Sequence, residues 1–92
     1  MQTPLASRSP VAAAAPAETY ETQFVPVLFG PWAPVVCAVA GIAPGQRVLD
    51  VACGTGALAG AALERAAPGG AVCGVDANPQ MLAVARRLRP RI

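Results

Sequence analysis

"VLDVACGTG", Val48 to Gly56, decides how the rest of the chain is read. With Arg47 in front, its first half is a short apolar run rich in β-branched valine. That is the pattern of a strand buried on both faces of a parallel sheet. An acid, Asp50, sits inside the run, and two glycines one residue apart, Gly54 and Gly56, end it. A strand that only fills a core has no use for the carboxylate, because an unpaired buried carboxylate is costly. Asp50 should therefore meet loop amides or a cationic ligand. A turn that only reverses the chain has no use for Gly-x-Gly. The two features together predict a binding site where the strand ends.

Downstream, "ALAGAALERAA" (Ala57 to Ala67) reads as a helix, with Leu58, Ala61, Ala62 and Ala66 on one face and Glu64 and Arg65 on another. Pro68 to Gly70 stop it. "AVCGVD" (Ala71 to Asp76) reads as a second buried strand. Asn78 then caps a helix with Pro79 at its first position. Met81, Leu82, Ala85 and Leu88 recur at helical spacing, and Pro90 ends the helix. The order is strand, glycine loop, helix, strand, acid, helix: one βαβ unit and the next helix.

Upstream, residues 18–46 hold all four aromatics, Tyr20, Phe24, Phe29 and Trp32. Thr19 and Thr22 are candidate caps of a short first turn. Pro31 or Pro34 can open a second helix that ends near Gly41. Residues 1–17 are Ala/Pro-rich, and Pro4, Pro10 and Pro16 are expected to interrupt any helix, leaving a mobile, disordered tail. The expected organisation is thus a tail at 1–17, a helical segment at 18–46 and a Rossmann-like unit at 47–92.

Composition excludes several chemistries. The 92 residues allow one small domain at most. With neither lysine nor histidine, Schiff-base lysines, histidine acid–base catalysis and histidine metal sites are absent. The net charge of +2 is too small to argue for nucleic acid. Cys37, Cys53 and Cys73 form no C-x-x-C, so neither a metal site nor a disulfide framework is indicated, and a reducing cytoplasm is the simplest compartment. Cys37 and Cys73 read as small apolar fillers, and Cys53 has no base nearby in sequence to make it a nucleophile. Arg86, Arg87, Arg89 and Arg91 read as solvated cations near a helix C-terminus rather than an RNA-binding patch. The longest apolar stretch, Pro34 to Ala43, is too short to span a bilayer.

In a right-handed βαβ unit, ligands bind beyond the carboxyl ends of the strands. Asp50, the Gly54–Gly56 loop and Asp76 all fall at that edge. Glycines let a ligand approach without a Cβ in the way. An acid ending the adjacent strand, 20 residues after Gly56, can accept hydrogen bonds from a ribose diol. The geometry calls for a nucleoside-containing cofactor. Gly54 to Ala59 formally fits the dinucleotide fingerprint G-x-G-x-x-A. That fingerprint has no role for an acid four residues before its first glycine. A pyrophosphate would be repelled by Asp50; an ammonium and a sulfonium would be attracted.

"VLDVACGTG" followed by "GVDANPQML" resembles the first two signature motifs of class I S-adenosylmethionine-dependent methyltransferases, most of all the ubiquinone/menaquinone-biosynthesis-like, type 11 branch. "YETQFVPVLFGPWA" resembles the N-terminal helices of that branch, and the similarity covers about residues 18 to 92. The resemblance implies S-adenosyl-L-methionine as cofactor and methyl transfer to a small-molecule acceptor, with S-adenosylhomocysteine as the leaving product. It implies that Asp50, Ala52, Gly54 and Gly56 surround the methionine moiety and that Cys53 and Thr55 line the same loop. Asp76 would hold the ribose hydroxyls, with Ala77 and Met81 on the adenine side. Tyr20 and Phe24 would cap the cofactor, face the acceptor or simply pack as helix core. The family's sheet has seven strands and this sequence supplies two, so it reads as the N-terminal portion of the fold, inactive alone. No catalytic base can be named and the oligomeric state is open. The alternatives are a fragment of a nicotinamide-dependent Rossmann oxidoreductase and a non-catalytic truncated remnant.

Overall fold

The computed structural model describes residues 10–92. The elements are α1 (Pro10–Thr19), a π-helical stretch (Tyr20–Phe29), α2 (Gly30–Ala40), β1 (Arg47–Val51), α3 (Ala57–Ala66), β2 (Ala71–Val75) and α4 (Pro79–Leu88). β1 and β2 pair in parallel, with Val48 opposite Val72 and Asp50 opposite Gly74. This is the first β-α-β-α unit of a Rossmann-like methyltransferase fold, as the sequence predicts.

The segment before β1 departs from expectation. Where two short helices and a tail were expected, one continuous helical rod runs from Pro10 to Ala40. Residues 10–17 of the expected tail are helical, as part of α1 (Pro10–Thr19), and residues 1–9 lie outside the described residues. Alanine's high helix propensity outweighs the lone interior proline, Pro16. Thr19 caps nothing; it is itself helical, and the Thr22 hydroxyl donates back to the Glu18 carbonyl at 2.8 Å. Pro26 lies inside the π-helical stretch, whose wider register differs from the α-helical ladder that a proline breaks. Gly41 does end the rod, in a left-handed conformation at φ 72°, with its N–H donating to the Ala38 and Cys37 carbonyls. Over Ala15–Ala40 the rod is long and apolar enough, by length and composition, to cross a membrane. In this structure it packs along α3 and contacts α4, so it forms a layer of the domain.

The core lies between α2, α3 and the sheet. Cys37, Ala59, Ala62 and Val72 form its centre, with Ile42, Val48 and Leu58 against them. Small residues on α2 and α3 let the two helices approach closely. Ala59 belongs to this centre and was not on the predicted face. In α4, Val84 and Ala85 are buried, while Leu88 is exposed. The strands are not covered on both faces. Leu49 is 61% and Val51 70% exposed, because the described helices cover one side of the sheet. Cys37 is a buried filler as expected; Cys73, on β2, is exposed.

Two local features position the site. The Asn78 side chain accepts from the N–H groups of Gln80 and Met81 at 2.9 and 3.4 Å, with Pro79 next in the chain. At the start of α3, Gly56 takes φ 90°, a left-handed conformation that L side chains rarely adopt.

Candidate functional site

The carboxyl ends of β1 and β2 converge on the loop Ala52–Gly56. The loop is tied to β2 by the Cys53 N–H, which donates to the Val75 carbonyl at 2.9 Å. Asp76 follows β2 directly and ties the loop again. Its Oδ2 accepts from the Gly54 N–H and its Oδ1 from the Asn78 N–H, each at 2.8 Å. One carboxylate thus fixes both the glycine loop and the entry to α4. Ala52 takes φ 60°, the one non-glycine left-handed residue among those described. Such conformations cluster where a loop is held against a ligand.

Asp50 faces a cleft of about 390 Å³ lined by Tyr20, Phe29, Trp32, Ala52, Cys53 and Leu58, among others. Its Oδ2 is buried and has no hydrogen-bond partner among the described residues. Burial pushes its carboxyl above the usual carboxylate range; the backbone at Ala59 acts in the opposite direction, and the charge of Asp76 adds to the rise. Burial, with the charges of Asp50 and Asp76, also pushes the Cys53 thiol up, which disfavours a thiolate nucleophile. The Tyr20 phenol is raised by burial and by Glu21, Asp76 and Asp50. Its ring stacks on Phe29 with centroids 5.0 Å apart and lies over Gly54, where a Cβ would come within 3.7 Å of the ring.

The predicted site residues therefore divide. Asp50, Ala52 and Cys53 line the cleft, together with Tyr20. Gly54 lies beneath Tyr20 and is bonded to Asp76. Thr55 turns away from the cleft: it is 0% exposed and its hydroxyl donates to Glu21 Oε2 at 2.8 Å. A Cβ on Gly56 would meet Arg89 and Ile92, not the cleft. Ala77 is exposed and Met81 half-buried, both at the Asp76 end of the site. Phe24 is exposed and does not line the cleft, so Tyr20 is the aromatic brought to the loop.

Sequence reasoning missed two residues here. Glu21 and Arg89 form an ion pair at 2.7 Å, and Arg89 also donates to the Thr55 carbonyl at 2.9 Å. Arg89 is thus not the solvated cation expected of the C-terminal arginines, although Arg87 makes an exposed pair with Glu18. Each partner of Thr55 stands 34 residues from it, which no local pattern reveals.

A parallel β-loop-α-β unit, with paired glycines after the first strand and an acid after the second, is the first half of a Rossmann-like nucleotide-binding arrangement, consistent with a partial class I methyltransferase fold. Residues 48–91 match the family described as methyltransferase domain. Over 55 residues, 60% of this chain, it is 47% identical to the ubiquinone/menaquinone biosynthesis C-methyltransferase of Cupriavidus taiwanensis. It is 46% identical to the protein of the same name from Bordetella avium and 42% to the demethylmenaquinone methyltransferase of Tropheryma whipplei, over equal lengths. The matched stretch spans 22–23% of these relatives' own lengths. No solved structure matches the chain.

Proposed function

We propose that this chain carries the cofactor half-site of an S-adenosyl-L-methionine-dependent methyltransferase acting on a small-molecule acceptor. The observation that carries the reading is the orphaned, buried Oδ2 of Asp50 beside a glycine loop with no Cβ in the way. A buried carboxylate oxygen lacking a partner suits a cationic ligand, and it opposes a pyrophosphate. Bound there, S-adenosylmethionine supplies an electrophilic methyl group on a sulfonium, an ion that attracts a nearby carboxylate.

The chain's residues bind and orient. Asp50, Ala52, Cys53 and Gly54 form the loop side of the site, and Thr55 and Gly56 hold the loop's shape from behind. Asp76 holds the ribose hydroxyls with the acceptor capacity left beyond its two backbone bonds, since each carboxylate oxygen can accept more than one. Ala77 and Met81 flank the adenine. Tyr20 and the apolar cleft wall exclude water from the methyl group. The names of the relatives and the aromatic lining from Tyr20, Phe29 and Trp32 support a quinone-like ring as acceptor. Three free cysteines are consistent with a reducing cytoplasm. The Ala15–Ala40 rod reads as a domain layer rather than a span, because Glu18 and Glu21 within it pair with Arg87 and Arg89.

Titration with S-adenosylhomocysteine tests this reading through Gly54→Val and Asp76→Ala. The first forces a branched side chain into φ 58° beneath Tyr20; the second removes the carboxylate. Each should abolish binding, and unchanged affinity in both contradicts the assignment.

A further inference from the structure

We propose that Glu21 is a positioning residue that, through Arg89 and Thr55, clamps the glycine loop in the conformation a cofactor meets. This rests on the cofactor reading above. Thr55 is held at two points. Its hydroxyl donates to Glu21 Oε2 at 2.8 Å, and its carbonyl accepts from Arg89 Nη1 at 2.9 Å. The same Nη1 pairs with Glu21 Oε1 at 2.7 Å, which closes a three-residue ring across the rod, the loop and the segment after α4. The Glu21 and Arg89 side chains are only 12% and 23% exposed, so their charges are far less screened than those of a surface pair.

The surrounding sequence is shaped to admit Arg89. A Cβ on Gly56 would stand 3.1 Å from Arg89 Cδ, and one on Gly60 would stand 3.4 Å from it. Gly60 lies inside α3, where glycine disfavours the helix relative to alanine. Its missing side chain is the space through which the arginine stem passes. Asp76 holds Gly54 from the strand side while the clamp holds Thr55 from the helix side. The two anchors fix consecutive residues of the loop. Because Glu21 follows Tyr20, the clamp also fixes the ring that lies over Gly54.

A neighbouring pair separates positioning from a plain tie between helices. Glu18 and Arg87 also join the rod to α4, at 2.7 Å, but both are exposed and neither touches the loop. Hydrogen exchange on the whole chain is the test, comparing Glu21→Gln, Arg89→Gln, their double variant and Glu18→Gln with the parent. In Glu21→Gln the amides of Thr55 and Gly56 should exchange about tenfold faster, the size of one lost charge-assisted hydrogen bond, with β1 and α3 unchanged. The double variant should be no worse than the more affected single variant, since the two side chains act as one unit. Glu18→Gln should leave the loop unchanged. S-adenosylhomocysteine affinity should fall about tenfold in Glu21→Gln, and hold in Glu18→Gln.

Loop exchange unaltered by Glu21→Gln overturns the clamp, whether or not the parent binds ligand. An equal effect of Glu18→Gln overturns it in favour of a general tie. Faster loop exchange with unchanged affinity overturns the link to the cofactor. A parent chain that binds no S-adenosylhomocysteine overturns the cofactor reading, and with it that link, while the exchange result still decides the clamp.

Discussion

Asp50 is set where desolvation disfavours its charge and a ligand's ammonium would favour it. A carboxyl raised in the folded state contributes stability that is fully present below its unfolded pKa, about 3.9, and is lost as pH rises through the folded value. Asp50→Asn should therefore raise the thermal midpoint at pH 7, with the gain shrinking as pH falls toward 4. The same variant should weaken S-adenosylhomocysteine binding. A midpoint unchanged at pH 7 contradicts the view of Asp50 as a group held at a cost to stability. At Ala52, φ 60° predicts that Ala52→Gly relieves strain and stabilises the chain by up to about 1 kcal/mol in denaturant unfolding. Asp50 and the glycines were legible in sequence because a buried acid and paired glycines violate the local rules of a strand. Thr55 was legible as a loop residue, but its inward direction was not. That direction is set by Glu21, which belongs to a different part of the chain.

The elements divide along the same line between local and distant causes. The Asn78–Pro79 start of α4 and the Gly41 end of the rod were readable, because caps are determined by residues within a turn of each other. Asn78→Ala should cost about 1 kcal/mol, measured by chemical denaturation. The joint between α3 and β2 is equally local. A Cβ on Gly70 would come within 2.6 Å of the Gln46 carbonyl oxygen, so Gly70→Ala should destabilise by about 1–3 kcal/mol. The rod was not readable as one helix. Its prolines signalled interruption, yet the alanines carry the chain through Pro16, and Pro26 is taken up in the π-helical stretch.

For the whole molecule, the radius of gyration is 14.4 Å, against about 12 Å for a compact domain of this length. The excess reflects the rod, which extends the particle to 47 Å. Val27 and Val39 on the rod, and Leu49 and Val51 on β1, present apolar side chains to solvent. Exposed apolar surface and a free strand edge favour association. The isolated chain should self-associate in sedimentation, and Val51→Lys should reduce that association; a parent that stays monomeric at high concentration contradicts this. The sequence implied an incompletely covered sheet only through the count of two strands.

Whether residues 10–92 hold a working cofactor half-site is decided by calorimetric titration of the chain with S-adenosylhomocysteine, with NAD as the control. S-adenosylhomocysteine should bind saturably and NAD should not bind. Binding of NAD in preference, or of neither ligand by a chain that unfolds cooperatively, contradicts such a half-site.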